Sequence, residues 1–160
     1  MLHIRTFIGR KLDHVNGILR RQIELDRPLK KFNDVKLTYF FYNQPQNPLD
    51  YLSKRYFTYP YYSHELEKMN QETINHITFQ YLGDLANFLN PNRTIITCHD
   101  IFTFLERNNL KNPYPLQKYA ILGLKRCRQI ISISEFTKTE LINKLNIEGE
   151  KIVVIKNGLN

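Results

Sequence analysis

The pair His99-Asp100 stands directly after Thr94-Ile95-Ile96-Thr97-Cys98, a run of β-branched and small residues. An imidazole in that position brings ring nitrogens that bond a hydroxyl or a phosphate, and it titrates near neutral pH. Position alone leaves a second role equally open, in which His99 satisfies backbone groups at a strand end. Asp100 either orients the ring or caps the next segment. Gly17 opens a helical stretch after a loop, so its bare amide can approach an anion closely, or it is a simple turn glycine. Thr78 follows a short strand, and Ser134 precedes a helix as an N-cap type, with a ligand contact as its lesser reading.

Other chemistries lack their residues. There is no G-x-G-x-x-G, which argues against a dinucleotide dehydrogenase, and no G-x-S-x-G or metal-ligand cluster to support a hydrolase or metalloenzyme. His76, on a short strand, reads as a packed histidine. His3 and His14 read as structural or surface residues, and His64 falls in a stretch with no clear pattern. Cys98 and Cys127 make no disulfide framework, and Cys98 reads as core.

The elements that must position these residues alternate between strand and helix. Leu2 to Ile8 is a strand, followed by a loop from Gly9 and a helix starting near Asn16-Gly17, which Pro28 kinks or ends. Val35 to Tyr42 is a second strand. Residues 43 to 70 carry Pro45, Pro48 and Pro60 and many tyrosines; only a short helix at His64 to Met69 is expected, in what reads as a long binding loop. Thr73 to Ile77 is a strand, and Tyr81, Leu82, Leu85, Phe88 and Leu89 form a helical stripe. Thr94 to Cys98 and Gln129 to Ile133 are strands expected at the sheet centre. Leu116 to Arg126 and Glu135 to Leu145 are helices, and Lys151 to Ile155 is the last strand. Such alternation predicts an α/β fold, a Rossmann-like doubly wound parallel sheet of about six strands. In that fold ligands bind beyond the carboxyl ends of the strands. The rule selects the loop from Gly9 to Gly17, Asn43-Gln44, Thr78, His99-Asp100 and Ser134.

The 160 residues suit one domain, with 42% hydrophobic and 24% charged residues. No apolar run approaches a membrane span and no signal peptide is visible, so a cytoplasmic protein is expected. Twenty-three basic against fifteen acidic residues leave +8, a charge that attracts polyanions. The cations are scattered, as in Arg20-Arg21 and Lys30-Lys31, and no nucleic-acid-binding motif accompanies them. Nucleic acid is therefore not an expected partner, whereas peripheral contact with the inner face of a membrane is compatible with the charge.

Three stretches occur in a telling order: Thr94-Ile-Ile-Thr-Cys-His-Asp-Ile101, Gln129-Ile-Ile-Ser-Ile-Ser-Glu-Phe-Thr-Lys138 and Lys151-Ile-Val-Val-Ile-Lys-Asn-Gly-Leu-Asn160. Together they resemble the N-terminal domain of family 4 retaining glycosyltransferases of the GT-B type. That family often reads T-x-H-D, then x-S-E-F-x-K, then V-I-P-N-G-V-D at the crossing into its second domain. His76 to Gly83 fits a fourth, looser block. The resemblance covers residues 73 to 160 by motif and residues 1 to 72 by architecture alone. The family's glycine-rich first loop is reduced to Gly9 and Gly17, and Lys156 stands where a proline is usual.

The resemblance implies a hexosyltransferase-like enzyme that moves a sugar from a nucleotide-sugar donor to an acceptor, with retention and without metal or cofactor. It implies an acceptor-side domain at residues 1–155 and the start of an interdomain linker at 156–160. A C-terminal donor-binding domain or partner chain would be missing, so the isolated chain is expected to be inactive. His99 and Asp100 would take the catalytic positions. His99 would touch the donor sugar or its leaving phosphate, and Gly17 would bring its backbone near the phosphates, with Thr78 and Ser134 as further substrate contacts. Two alternatives come from other classes: a non-catalytic Rossmann-like binding module, and a basic protein that binds nucleic acid or anionic membrane.

Overall fold

A computed structural model describes residues 1–9, 17–41, 46–69, 72–102 and 120–156. Six strands form one all-parallel sheet: β1 (Leu2–Ile8), β2 (Val35–Phe41), β3 (Thr73–Ile77), β4 (Thr94–Cys98), β5 (Gln129–Ser132) and β6 (Ile152–Val154). Their order is β2-β1-β3-β4-β5-β6. β4 lies at the centre as expected, but β5 does not; it is one strand in from the edge, because β1 and β3 lie on the other side of β4. Ile77, Ile96 and Ile130, from the three neighbours β3, β4 and β5, are fully buried; β4 accordingly reads as a near-continuous β-branched run, whereas β3 also carries Asn75 and His76.

The first helix, α1 (Gly17–Leu29), runs through Arg27 and Pro28 and ends one residue after the proline, against the usual restriction on the residue before proline. Buried Asp26 joins it to β2: Gln22 Nε2 donates to Oδ1 at 2.7 Å, and Tyr39 OH donates to Oδ2 at 2.9 Å.

The stretch after β2 corrects the expectation of a mostly irregular loop. Residues 48–69 are helical throughout, as α2 (Pro48–Ser53), a π turn (Lys54–Thr58) and α3 (Tyr59–Met69). Asn47 caps the start, its side chain accepting from Asp50 N at 2.8 Å, and Pro48 sits in the first turn, where no donor is needed. Pro60 would clash with an ideal preceding α turn; the wider π turn lies just before it and admits it. Pro48 and Pro60 therefore resemble loop residues while serving a start and a bulge; Pro45 lies outside the described residues.

The stripe from Tyr81 becomes a 3-10 helix, Gln80–Asn87. Ala120 to Leu122 are helical and Gly123–Lys125 form a 3-10 turn, while Leu116 to Tyr119 lie outside the described residues. These two segments meet backbone to backbone. A Cβ on Gly83 would strike the Ala120 carbonyl, and a Cβ on Gly123 would strike the Gly83 carbonyl. Helix α4 spans Glu135–Leu145 and ends at Asn146, whose left-handed φ of 50° lets Asn146 N reach the Ile142 carbonyl at 3.0 Å.

Candidate functional site

β1 has β2 on one side and β3 on the other, so the chain reverses direction across the sheet there and opens a crevice at the carboxyl edge. The loop at 10–16 and Asn43-Gln44 lie outside the described residues, as does His14. The described part of the edge is built around His99.

His99 follows β4 and is half-buried. Its backbone N–H donates to Gln80 Oε1 at 3.1 Å, and its ring edge meets the Phe79 ring, with centroids 6.0 Å apart. Nε2 lies 3.2 Å from the Thr78 carbonyl. A carbonyl only accepts, so Nε2 carries the hydrogen. In the neutral ring Nδ1 is then a lone-pair acceptor, and it has no hydrogen-bond partner among the described residues. Burial holds the pKa of His99 below the usual histidine value; the charge of Arg21 lowers it further, and the Thr78 carbonyl and Asp100 pull weakly the other way. The side chain is thus tied on one nitrogen and available on the other, which joins both roles left open by the sequence.

The remaining positions divide. Asp100 is exposed, and its Oδ1 accepts from Phe102 N at 3.1 Å, so it caps the following segment. Thr78 is 2% exposed, and both its N and its hydroxyl donate to the Phe7 carbonyl, at 3.1 and 3.0 Å. It supports His99 through its own carbonyl and presents no hydroxyl to the crevice. Ser134 is the N-cap of α4: its Oγ accepts from Thr137 N at 3.0 Å and lies 2.9 Å from Thr137 Oγ1. Thr137 Oγ1 donates to the His99 carbonyl at 3.3 Å, so the Ser134 hydroxyl hydrogen must point to Thr137. Ser134 therefore reaches His99 through Thr137.

Gly17 begins α1, whose first turn has no acidic residue, and a Cβ there would meet nothing within 4 Å. Arg21 is one turn further along. Its guanidinium donates to the Ile155 carbonyl at 3.2 Å, on the chain leaving β6, and its charge is felt by both His76 and His99. Gln80, Thr137 and Arg21 are contributors that the sequence reading missed. The signal for Arg21 was its i+4 spacing from Gly17, which places it one turn from the same helix start.

His3 and His76 serve the sheet. His3 bonds Thr38 Oγ1 at 2.8 Å and Thr73 Oγ1 at 3.2 Å, bridging β2 and β3. His76 bonds Thr97 Oγ1 at 2.9 Å, and burial, helped by Arg21 and His99, pushes its pKa down to about 4. His64 is exposed on α3. Cys98 and Cys127 are buried and free, and burial raises both thiols, Cys127 to about 11. Among the described residues no His, Cys, Asp or Glu cluster could hold a metal ion, and no helix is long and apolar enough to cross a membrane.

A separate cavity of about 310 Å³ lies beneath the helical stretch 48–69, at the carboxyl ends of β1 and β2. Phe7, Phe40, Tyr59, Leu66, Leu85 and Phe88 are among its walls.

The sequence profile of Glycosyltransferase Family 4 matches residues 26–160. Comparison with curated proteins finds no match. Among solved structures, a glycosyltransferase from Rickettsia africae ESF-5 is similar, with a TM-score of 0.56 and 17% identity over 99% of this chain. The chain spans 43% of that protein's length. At this identity the likeness concerns the fold, and it agrees with the six-stranded parallel sheet. The family rests on the profile match, which includes the strand ends carrying His99 and Ser134: this chain belongs to glycosyltransferase family 4.

Proposed function

We propose that this chain is the acceptor-side N-terminal half of a two-domain GT-B enzyme, one that transfers a sugar from a nucleotide-sugar donor to an acceptor with retention. The observation that carries the reading is the 3.2 Å contact of His99 Nε2 with the Thr78 carbonyl, from which the tautomer follows. With Nε2–H held by the Thr78 carbonyl and the ring neutral, Nδ1 is an acceptor at the carboxyl edge of the sheet. A neutral acceptor suits a sugar hydroxyl better than a phosphate oxygen, which has no hydrogen to give. His99 thus orients the donor sugar rather than its leaving phosphate.

The phosphate is served by other groups. The start of α1 at Gly17 offers backbone N–H groups, and Arg21, one turn on, supplies a full positive charge. As the glycosidic bond breaks, the sugar gains oxocarbenium character and negative charge grows on the leaving phosphate. Preorganised cations and dipoles stabilise that charge without a metal. Asp100 acts on the segment after His99 and not on the reacting atoms. The second domain of such an enzyme would close over this edge and complete the donor site, and orienting two reactants in a closed cleft contributes several kcal/mol.

The test is transfer by the full-length protein from a panel of nucleotide sugars, with chelator present throughout. The reading expects one donor to be consumed, with the product retaining the donor's anomeric configuration. Consumption of none of the panel, or transfer with inversion, overturns it; transfer abolished by chelator overturns its metal-free step.

A further inference from the structure

We propose that the cavity beneath residues 48–69 holds a single alkyl or isoprenoid chain, the apolar end of an amphiphilic acceptor; calling this an acceptor subsite rests on the function proposed above. The space is about 310 Å³, roughly twice the ~150 Å³ that accommodates benzene in an apolar protein cavity. Lys54 is the one charged residue among its described walls, and it is bonded to Asp50 at 2.6 Å. Water in a cavity so lined finds few hydrogen-bond partners, and an apolar occupant removes that lining from water.

The position of the mouth argues for an amphiphile. Phe41 and Tyr62 line the cavity yet are 51% and 57% exposed, so they stand where it meets solvent. The Tyr61 ring, 65% exposed, meets the Tyr62 ring with centroids 6.0 Å apart and extends the aromatic lining onto the outer surface. Phe7, Phe40 and Phe41 are at the carboxyl ends of β1 and β2, the edge that also carries His99. The 3-10 helix Gln80–Asn87 links the two places: Gln80 holds His99 N at its start, and Leu85 lines the cavity near its end. A chain seated in the cavity would leave its polar head at the sheet edge, where transfer is proposed.

Binding is measured by calorimetry on the full-length protein with methyl, octyl and decyl glucoside, all below micelle formation. Methyl glucoside should give no binding, and decyl glucoside should bind about tenfold more tightly than octyl, the effect of two buried methylenes. Ser63→Phe, which places a ring in the cavity, should weaken decyl glucoside binding at least tenfold. Thr58→Leu, a smaller intrusion, should weaken it severalfold and serves if the first variant does not fold. If neither folds, nuclear Overhauser contacts between the decyl chain and the Phe88 ring decide, their presence supporting the proposal and their absence overturning it. Equal affinity for octyl and decyl, or undiminished binding by a folded Ser63→Phe protein, also overturns it. The two proposals fail separately: sugar transfer without chain binding removes only the lipid chain, and chain binding without transfer removes only the catalysis.

Discussion

Replacing Gly123 by alanine tests the packing that supports His99. Two effects oppose each other. Gly123 has no positive φ, so alanine is conformationally acceptable there, and fewer unfolded conformations should stabilise the protein by roughly 0.4–1 kcal/mol. Against this, the new Cβ would overlap the Gly83 carbonyl and crowd the backbone N of Asp84. Backbone atoms cannot move aside by changing rotamer, so the two helical segments must separate. Overpacking of this kind costs typically 1–3 kcal/mol, and the upper half applies because both partners are main chain. The net expectation is a loss of about 2 kcal/mol, or a Tm lower by about 4–8 °C for a domain of this size. Thermal unfolding followed by circular dichroism reads it. Gly149→Ala is the control, since its Cβ would meet only Ile142 Cδ1 at an ordinary 3.5 Å, and its Tm should be unchanged or slightly raised. A Tm increase in Gly123→Ala would refute the close approach.

Gly17→Ala should leave Tm within a degree or two of wild type, because its Cβ meets nothing, yet it should reduce transfer roughly tenfold by standing where phosphate approaches α1. The pH dependence of stability carries two opposed contributions. The pKa of His76 falls to about 4 on folding, so the unfolded state takes the proton first and stability falls as pH drops from about 6.5 to 4. Burial raises Asp84 to about 6, so the folded state holds that proton and stability falls as pH rises from about 4 to 6. Asp84→Asn should therefore expose the His76 slope, and His76→Gln the opposite one, each on the order of 3 kcal/mol across the window by urea titration. Identical pH profiles in the two variants would remove both assignments.

Strand content was legible because a buried parallel strand writes itself as a β-branched run, as in Thr94 to Cys98 and Gln129 to Ile131. The α4 boundaries were legible from the Ser134 cap. Residues 48–69 were not, because Pro48 and Pro60 read as breakers unless the first-turn position and the π turn are known. The place of β5 was not legible either, since strand order depends on which way each crossover runs. At the site, the positions of His99 and Ser134 followed from strand and helix ends. Their partners did not: Gln80 and Thr137 bond His99 across 19 and 38 residues of sequence, contacts of which a one-dimensional pattern carries no trace, and only the spacing of Arg21 from Gly17 hinted at a charge that acts on His99 across 78. Thr78 shows the converse, a correctly placed residue whose hydroxyl is turned into the sheet.

The central claim is that Nδ1 of His99 receives the donor sugar, and His99→Gln tests it most directly. A glutamine amide can reproduce the Nε2–H bond to the Thr78 carbonyl and has nothing at the Nδ1 position. Initial transfer rates of the full-length protein are compared with those of His99→Gln and His99→Ala, alongside thermal unfolding of each. The account predicts a rate loss of roughly 10- to 100-fold for both variants, with stability kept in His99→Gln and reduced by about 1–3 kcal/mol in His99→Ala, where the Thr78 carbonyl is left unpaired. Unchanged turnover in a folded His99→Gln protein would contradict it.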